Sequence, residues 1–229
     1  MACYFSWEKI GYDKRTRRHR GTGVMLYAIL KFIATIALKV FYKRIRVKNA
    51  QRVPRNIPLI IVSNHPSTLM DALIIGTNIR QPIYFIAKGS LFNNRLIHFL
   101  LNCFHMIPIY RRQDDPALME RNEEIFQRCY HFLEKKKALL IFPEGISKGE
   151  RRLHRIKTGA ARIALGAERS NNYRLGVVVV PVGLYYTKLG IFRSDLFINF
   201  GSPIAVSDFS ELHRENDRKA VSELTNLIR

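Results

Sequence analysis

The sequence predicts an α/β fold in which a β-sheet is flanked by helices. Two observations support this class. Short apolar runs alternate with longer amphipathic runs from residue 57 onward, and the polar motifs described below follow the ends of the apolar runs. Alternation of this kind is typical of strand–helix units, whose functional side chains gather at the strand ends. The 229 residues, 47% of them hydrophobic, can bury a sizeable single core.

Six apolar runs predict the strands of this sheet. They are rich in Ile, Val, Leu and Phe, as expected for strands buried inside a sheet. The fifth run is β-branched and is interrupted by Pro181. In chain order, the predicted strands cover residues 57–63, 82–88, 106–110, 138–142, 176–184 and 196–200.

The intervening segments predict helices. Pro66 lacks an N–H and therefore suits the first position of the second helix. The acidic residues Asp114 and Asp115, followed by Pro116, are a start signal for the fourth helix. The fifth helix is rich in small residues, and the sixth has an amphipathic pattern. In chain order, the predicted helices cover residues 24–42, 67–77, 91–104, 114–136, 156–168 and 210–229.

The first helix is predicted to associate with a membrane. Residues 1–60 contain 14 Lys and Arg against 2 Asp and Glu, so they carry 12 of the 20 net positive charges. Lys31, Thr35 and Lys39 line one side of an otherwise apolar helix with basic flanks. This pattern favours a helix lying in the interface on the cytoplasmic face, with a spanning helix or a soluble packing helix as alternatives. We therefore expect residues 1–50 to be a basic, amphipathic, membrane-associating segment and residues 51–229 to be the functional domain.

Composition also limits the partners. A net charge of +20 indicates an anionic partner, which could be nucleic acid, an acidic membrane surface or a phosphorylated substrate. No nucleic-acid-binding motif is found, so nucleic acid is the least favoured of the three. The three cysteines are far apart and neither they nor the histidines have metal-ligand spacing. We therefore expect no metal and no disulfide framework.

His65 and Asp71 are the most informative pair in the chain. They follow the apolar run that ends at residue 63, so the imidazole is predicted at a strand-to-helix junction, with the carboxylate about one and a half turns further along the helix. A carboxylate in that position can hold a histidine in one tautomer while the other ring nitrogen takes a proton from an alcohol. This geometry predicts a general base, His65, oriented by Asp71.

Three further blocks occur in a fixed order after this pair. The first is a short strand ending in Tyr110-Arg111-Arg112, the second is Phe142-Pro143-Glu144-Gly145, and the third is Val180-Pro181-Val182. Together with His65 and Asp71, these blocks resemble the four motifs of the glycerolipid (phospholipid/glycerol) acyltransferase superfamily over roughly residues 57–204. The resemblance implies a mixed sheet flanked by helices and makes residues 51–229 an acyltransferase domain.

The resemblance also implies roles for individual residues. Arg111 matches the family's arginine for the acceptor phosphate, and Arg112 stands beside it. Glu144 matches the glutamate taken to contact the glycerol hydroxyls, and Gly145 permits close backbone approach. The implied reaction transfers a fatty acyl group from acyl-CoA or acyl carrier protein to glycerol-3-phosphate or 1-acylglycerol-3-phosphate, as a step of phospholipid synthesis. No cofactor beyond the acyl donor is expected.

Two departures from the family pattern favour one branch. Five residues separate His65 from Asp71 where most of the family has four, and Ser147 occupies the position of a phosphate-binding arginine. Both features resemble the glycerol-3-phosphate and dihydroxyacetone-phosphate acyltransferase branch. Lys157, or one of the arginines at positions 151, 152 and 155, is a candidate to supply the missing charge. Because the arginine is absent, a lyso-aminolipid acceptor is kept as an alternative.

Two other classes of function fit parts of the sequence. Residues 145–149 fit the Gly-x-Ser-x-Gly elbow of serine esterases and lipases, with Ser147 as nucleophile and His213 with Asp195 or Asp208 as partners. That alternative leaves His65 without a role. A basic protein that binds nucleic acid or anionic lipid without catalysis would also explain the charge, and its binding would weaken steeply with salt.

Overall fold

The computed structural model describes residues 20–88, 106–109, 121–145, 149–150 and 154–229. Within these ranges the α-helices are α1 (Arg20–Phe41), α2 (Leu69–Asn78), α3 (Arg121–Glu134), α4 (Gly159–Ser170), α5 (Ser210–Glu215) and α6 (Asp217–Ile228). The strands are β1 (Arg44–Lys48), β2 (Leu59–Ser63), β3 (Ile83–Lys88), β4 (Met106–Ile109), β5 (Ala138–Ile141), β6 (Val178–Tyr186), β7 (Asp195–Phe200) and β8 (Ile204–Ala205). Short 3-10 turns occupy Ala50–Arg52 and Val206–Phe209.

The strands form one mixed sheet in the order β1-β7-β6-β2-β5-β3-β4, and β8 also pairs with β6. The strands β6, β2, β5, β3 and β4 are parallel neighbours, so their carboxyl ends meet at one edge of the sheet. β7 is antiparallel to β6, and β1 is parallel to β7. The predicted mixed sheet flanked by helices is therefore confirmed.

Both faces of the central strands are covered. Leu59 and Ile61 of β2 belong to a buried cluster with residues of α1 and α2, whereas Ile60 and Val62 belong to a second cluster with residues of α3, α4 and α6. All residues of β2 are buried, which explains why this strand is a continuous apolar run with no polar alternation. The packing on both faces therefore fixes the position of the end of β2, from which the chain continues to His65.

Several predicted boundaries differ from the structure. β1 was not predicted, although its pattern Arg-Ile-Arg-Val-Lys alternates with the period of a strand. The predicted single helix over 210–229 is two helices, because Asn216 breaks it with extended dihedral angles and its side chain accepts the N–H of Lys219. The predicted helix at 91–104 lies outside the described residues, as does the start of the one at 114–136.

α1 packs with part of its polar stripe turned inward. The Lys31 ammonium donates to the carbonyl of Ile79, just past the end of α2, at 2.5 Å, and the Thr35 hydroxyl donates to the Lys31 carbonyl at 2.7 Å. Burial lowers the pKa of Lys31. In the part of the chain that the structure describes, no helix combines the length and apolarity needed to cross a membrane.

The opposite side of α1 is apolar and exposed. Its residues recur at helical spacing, so they lie on one face. They are 48–65% exposed: Met25, Ile29, Phe32, Ile33, Ile36 and Val40. This set is called the α1 apolar stripe below.

Candidate active site

His65 lies two residues beyond β2, and contacts with the neighbouring strands β6 and β5 fix its position. The side chain of Asn64 donates to the carbonyl of Leu184 at 2.9 Å and accepts its N–H at 2.8 Å, which ties this turn to β6. The imidazole stacks on the ring of Phe142, with 3.8 Å between centroids and 16° between planes. Since Phe142 directly follows β5, two parallel strand ends hold the imidazole in place.

The sequence prediction places His65 beside Asp71, and the structure brings the two together. The Nδ1 atom of His65 lies 3.0 Å from the Oδ2 atom of Asp71. Asp71 is fully buried, and its Oδ2 atom also accepts the N–H of Ser67 at 2.7 Å. Because a carboxylate only accepts hydrogen bonds, Nδ1 carries the proton and Nε2 is the basic nitrogen. The imidazole is 17% exposed, so a substrate can reach it.

A strained turn lies between His65 and Asp71. Thr68 has φ 46° and ψ −115°, a conformation that a β-branched residue rarely adopts. A helix cannot pass through such a residue, so α2 begins at Leu69, and the prediction that Pro66 opens this helix is wrong. Asp71 accordingly lies in the first turn of α2, and not one and a half turns along it.

Two tyrosines that the sequence analysis missed extend the pair into a chain. The hydroxyl of Tyr186, at the end of β6, donates to the Oδ1 atom of Asp71, and Tyr42 hydrogen-bonds to Tyr186. Burial, together with the charge of Asp71, raises the pKa of Tyr186 above its usual range and that of Tyr42 to about 12. Both hydroxyls therefore remain protonated donors. From the sequence, strand alternation predicts that Tyr186 lies on the same face as Leu184. No local sequence pattern predicts its contact with Asp71.

The glutamate and glycine of the third motif lie next to His65. The Oε1 atom of Glu144 accepts the backbone N–H of His65 at 3.3 Å, and Glu144 is only 4% exposed. Gly145 has φ +70°, in the left-handed region that glycine adopts without strain. The backbone N–H of Lys157 donates to the carbonyl of Pro143 at 2.9 Å, and its ammonium would lie 2.9 Å from a Cβ atom at Gly145. Lys157 thus approaches the site as a cation.

The remaining predicted site residues, Arg111, Arg112 and Ser147, lie outside the described residues. β4 ends at Ile109, and its carboxyl end is at the same edge of the sheet as the ends of β2 and β5. Of the partners named for the serine-hydrolase alternative, His213 contacts Tyr173 at 2.8 Å and Asp217 at 2.5 Å. Asp195 instead pairs with Arg44 at 2.7 Å, and Asp208 is exposed.

Comparisons with known proteins identify the family. A sequence profile described as Acyltransferase matches residues 44–185. Glycerol-3-phosphate O-acyltransferase 2 of Saccharomyces cerevisiae is 38% identical over 108 residues, which are 47% of this chain and 14% of the yeast protein. This chain therefore covers about a seventh of the length of that relative. The 1-acyl-sn-glycerol-3-phosphate acyltransferase of Bacillus subtilis is 25% identical over 203 residues, 86% of this chain and 92% of the bacterial one.

A solved structure shares the fold. It is the crystal structure of the 1-acyl-sn-glycerophosphate (LPA) acyltransferase, PlsC, from Thermotoga maritima. The two superpose with a TM-score of 0.62 at 20% identity, over 94% of this chain and 81% of the other. The profile match covers more than half of the chain and includes His65, Asp71, Glu144 and Gly145. The chain therefore belongs to the acyltransferase family.

Proposed function

We propose that this chain transfers a fatty acyl group from a thioester, acyl-CoA or acyl carrier protein, to a hydroxyl of glycerol-3-phosphate or 1-acylglycerol-3-phosphate. The observation that carries the proposal is the 3.0 Å contact between His65 and a fully buried Asp71 at the carboxyl end of β2. Relatives named for these two acceptors add support. The step would serve phospholipid synthesis.

In this proposal His65 is the general base. Its Nε2 atom takes the proton from the acceptor hydroxyl, and the hydroxyl oxygen attacks the thioester carbonyl carbon. The tetrahedral intermediate then collapses, the C–S bond breaks, and the imidazolium returns the proton to the leaving thiolate. Asp71 stabilises the transient imidazolium and keeps Nδ1 protonated. The products are an ester and a free thiol, and the thiol carries the proton that the acceptor hydroxyl lost.

Acceptor recognition is assigned to the groups around this pair. Glu144 is held next to His65 by its hydrogen bond to the His65 N–H, which suits a contact with glycerol hydroxyls. The ammonium of Lys157 approaches Gly145 and is our candidate for a phosphate contact, together with Arg111 and Arg112. Ser147, two positions after Gly145 in the sequence, is a further candidate for substrate binding. A lyso-aminolipid acceptor remains the second candidate, because Ser147 replaces an arginine of the family motif.

A direct test offers several acceptors to the detergent-purified protein. Palmitoyl-CoA is supplied with glycerol-3-phosphate, lysophosphatidate or a lyso-aminolipid, and products are measured by mass spectrometry. We expect transfer to a phosphorylated acceptor, with a sharp loss of catalytic efficiency in Arg111→Ala. Lys135→Ala, an exposed cation after α3, is the matched control and should retain activity. Transfer to the aminolipid alone would replace the proposed acceptor with the second candidate.

The same preparation tests the serine-hydrolase alternative. A fluorophosphonate probe would label Ser147 if that residue were an activated nucleophile. We expect Ser147→Ala to leave probe labelling unchanged, because acyl transfer through His65 needs no covalent acyl-enzyme. Labelling that depends on Ser147, combined with activity that survives His65→Ala, would overturn the proposed mechanism.

We also propose that the protein associates with the cytoplasmic face of a membrane through α1. The α1 apolar stripe is long enough to bury several large side chains in an interface, and the surrounding basic excess favours anionic lipid. Sedimentation with anionic vesicles tests this. Phe32→Asp/Ile36→Asp should reduce vesicle binding, whereas Leu227→Asp, an equally exposed position on α6, should not. Equal binding by both variants would exclude α1 as the contact.

A further inference from the structure

The loop between β6 and β7 projects from the edge of the sheet that carries His65. β6 is parallel to β2, and in the register Ser63, the last residue of β2, lies opposite Val182. β6 continues for four further residues, to Tyr186, which is about 13 Å of extended chain. Residues 187–194 then reverse the chain into β7 and are called the β6–β7 loop below. The loop therefore extends past the strand end from which the chain continues to His65.

Contacts with the carboxyl end of α1 hold this loop in place. The N–H of Arg193 donates to the carbonyl of Phe41, the last residue of α1, at 2.7 Å. The N–H of Lys43 in turn donates to the carbonyl of Ser194 at 2.9 Å. The ring of Phe192 lies against that of Phe41, with 5.8 Å between centroids and 74° between planes. α1 and the β6–β7 loop consequently form one surface at this end of the sheet.

This surface is apolar and exposed. At the tip of the loop, Ile191 and Phe192 are 53% and 59% exposed. In the part of the chain that the structure describes, twelve large hydrophobic side chains are exposed, and nine of them belong to the α1 apolar stripe (six), this loop tip (two) or Leu69 (one). Leu69 begins α2 two positions before Asp71, at the same edge of the sheet. Such clustering, in contrast to scattered single residues, marks a contact surface.

The charges around the loop tip suit an anionic lipid surface. Lys188 and Arg193 are exposed on either side of the tip, and the loop contains no acidic residue. The nearest acidic residue along the chain, Asp195, is bound by the guanidinium of Arg44 at 2.7 Å. Each lysine or arginine close to an anionic membrane strengthens binding roughly fivefold. Apolar side chains between cations are the pattern of segments that insert into the interface.

A lipid surface fits this patch better than a protein partner does. A specific protein interface buries about 800 Å² on each partner and is depleted in lysine. The β6–β7 loop offers two apolar side chains at its tip, and the α1 apolar stripe continues the exposed surface along one helix. A bilayer interface accommodates such a shape, because it needs no complementary pocket.

We propose that the β6–β7 loop is a second membrane contact, which inserts Ile191 and Phe192 into the interface of an anionic bilayer beside α1. The loop lies at the end of α1 from which Tyr42 connects to the hydrogen bonds of the active site. Contact at this end turns the edge of the sheet that carries His65 toward the lipid. The inference rests on the proposed membrane association of α1 and deepens it, because it fixes which edge of the domain faces the bilayer.

Tryptophan reporters test both parts of this proposal. Trp7→Phe first removes the single tryptophan of the chain. Tryptophan is then introduced at one position at a time, and the four positions are matched because their side chains are 58–65% exposed: Phe32, Leu69, Phe192 and Leu227. Vesicles of phosphatidylcholine and phosphatidylglycerol with brominated acyl chains quench a tryptophan that enters the interface. We expect quenching of Phe32→Trp, Leu69→Trp and Phe192→Trp. Leu227→Trp, on α6, should not be quenched.

Sedimentation with unbrominated vesicles of the same lipids measures the size of the contribution. Ile191→Ser/Phe192→Ser should weaken binding about tenfold or more, because burying a large apolar side chain is worth at least that factor. Lys188→Gln/Arg193→Gln should weaken binding to anionic vesicles roughly 25-fold, two factors of about five, and leave binding to pure phosphatidylcholine unchanged. Leu227→Ser is the control and should bind as the wild type does. Wild-type binding by both loop variants would overturn the second contact.

The outcomes of the reporter experiment separate this inference from the proposed function. Quenching confined to Phe32→Trp would overturn the second contact and leave the membrane association of α1 in place. Quenching of Phe192→Trp without Leu69→Trp would overturn the orientation of the edge that carries His65. Quenching of Leu227→Trp to the same extent would show unspecific adsorption and would also overturn the inference. If no reporter is quenched while acyl transfer persists, both membrane contacts fail and the catalytic proposal stands.

Discussion

Replacing Tyr186 with phenylalanine is the most informative perturbation of the site. The substitution removes one hydroxyl from the buried chain Tyr42–Tyr186–Asp71–His65 and leaves the ring volume in place. The Oδ1 atom of Asp71 then loses the donor that Tyr186 provides, whereas Oδ2 keeps its bonds from Ser67 and His65. The carboxylate stays buried and, with one donor fewer, is held less firmly against the imidazole.

The expected cost follows from the type of hydrogen bond. A hydrogen bond to a charged group contributes about 1.5–3 kcal/mol, so Tyr186→Phe should lower the free energy of unfolding by about 2 kcal/mol. If the loosened carboxylate also costs the transition state about 1.4 kcal/mol, kcat falls about tenfold. The KM for the acceptor should change little, because Tyr186 contacts Asp71 and lies behind it.

Denaturant unfolding and steady-state acyl transfer measure the two effects. Tyr185→Phe, the exposed neighbour on β6, is the control for unfolding and should be within about 0.5 kcal/mol of the wild type. In the Asp71→Asn background the loss of the Tyr186 hydroxyl should cost less, since the acceptor is then neutral. If Tyr186→Phe kept the stability and kcat of the wild type, the hydrogen bond from Tyr186 would not position Asp71 and His65.

Three further outcomes are expected. The pKa of Tyr42 is raised to about 12 by burial and by Asp71, so the folded state keeps a proton that the unfolded chain releases near pH 10. The contribution of Tyr42 to stability should therefore be intact below pH 10 and fall toward pH 12 by at most about 1.4 kcal/mol per pH unit, and Tyr42→Phe should remove this part of the fall in alkaline unfolding. Thr68→Gly should be about 1 kcal/mol more stable than Thr68→Ala in denaturant unfolding, because only glycine relieves the positive φ; equal stabilities would contradict the strained turn. Glu168 is fully buried and accepts the N–H groups of Leu175 and Val177, so Glu168→Gln should cost about 1–3 kcal/mol in thermal unfolding while kcat stays unchanged.

Much of the fold could be predicted because its signals are local. The runs that became β2 and β5 are apolar throughout, since helices cover both faces, and that pattern is visible in sequence. The pair His65 and Asp71 could be predicted because it sits six positions apart at a strand end. β1 was missed because it lies at the edge of the sheet, where charged side chains alternate with Ile45 and Val47 and no continuous apolar run forms.

The rest of the site depends on contacts between distant positions. Tyr186 lies 115 positions from Asp71, and Asn64 lies 120 positions from Leu184, so no spacing rule connects them. They meet because β6 pairs with β2 in a register that only the folded sheet defines. The strained conformation of Thr68 is likewise a product of packing, since threonine has no local preference for positive φ.

In the proposed mechanism, His65, held by Asp71, removes the proton from the acceptor hydroxyl. The most direct measurement is acyl transfer from palmitoyl-CoA by wild type and His65→Ala, with His131→Ala, an exposed histidine of α3, as the matched control. We expect a loss of about 10²–10⁴-fold in kcat for His65→Ala and wild-type activity for His131→Ala. Transfer that is indifferent to the loss of His65, in a protein that remains folded, would contradict it.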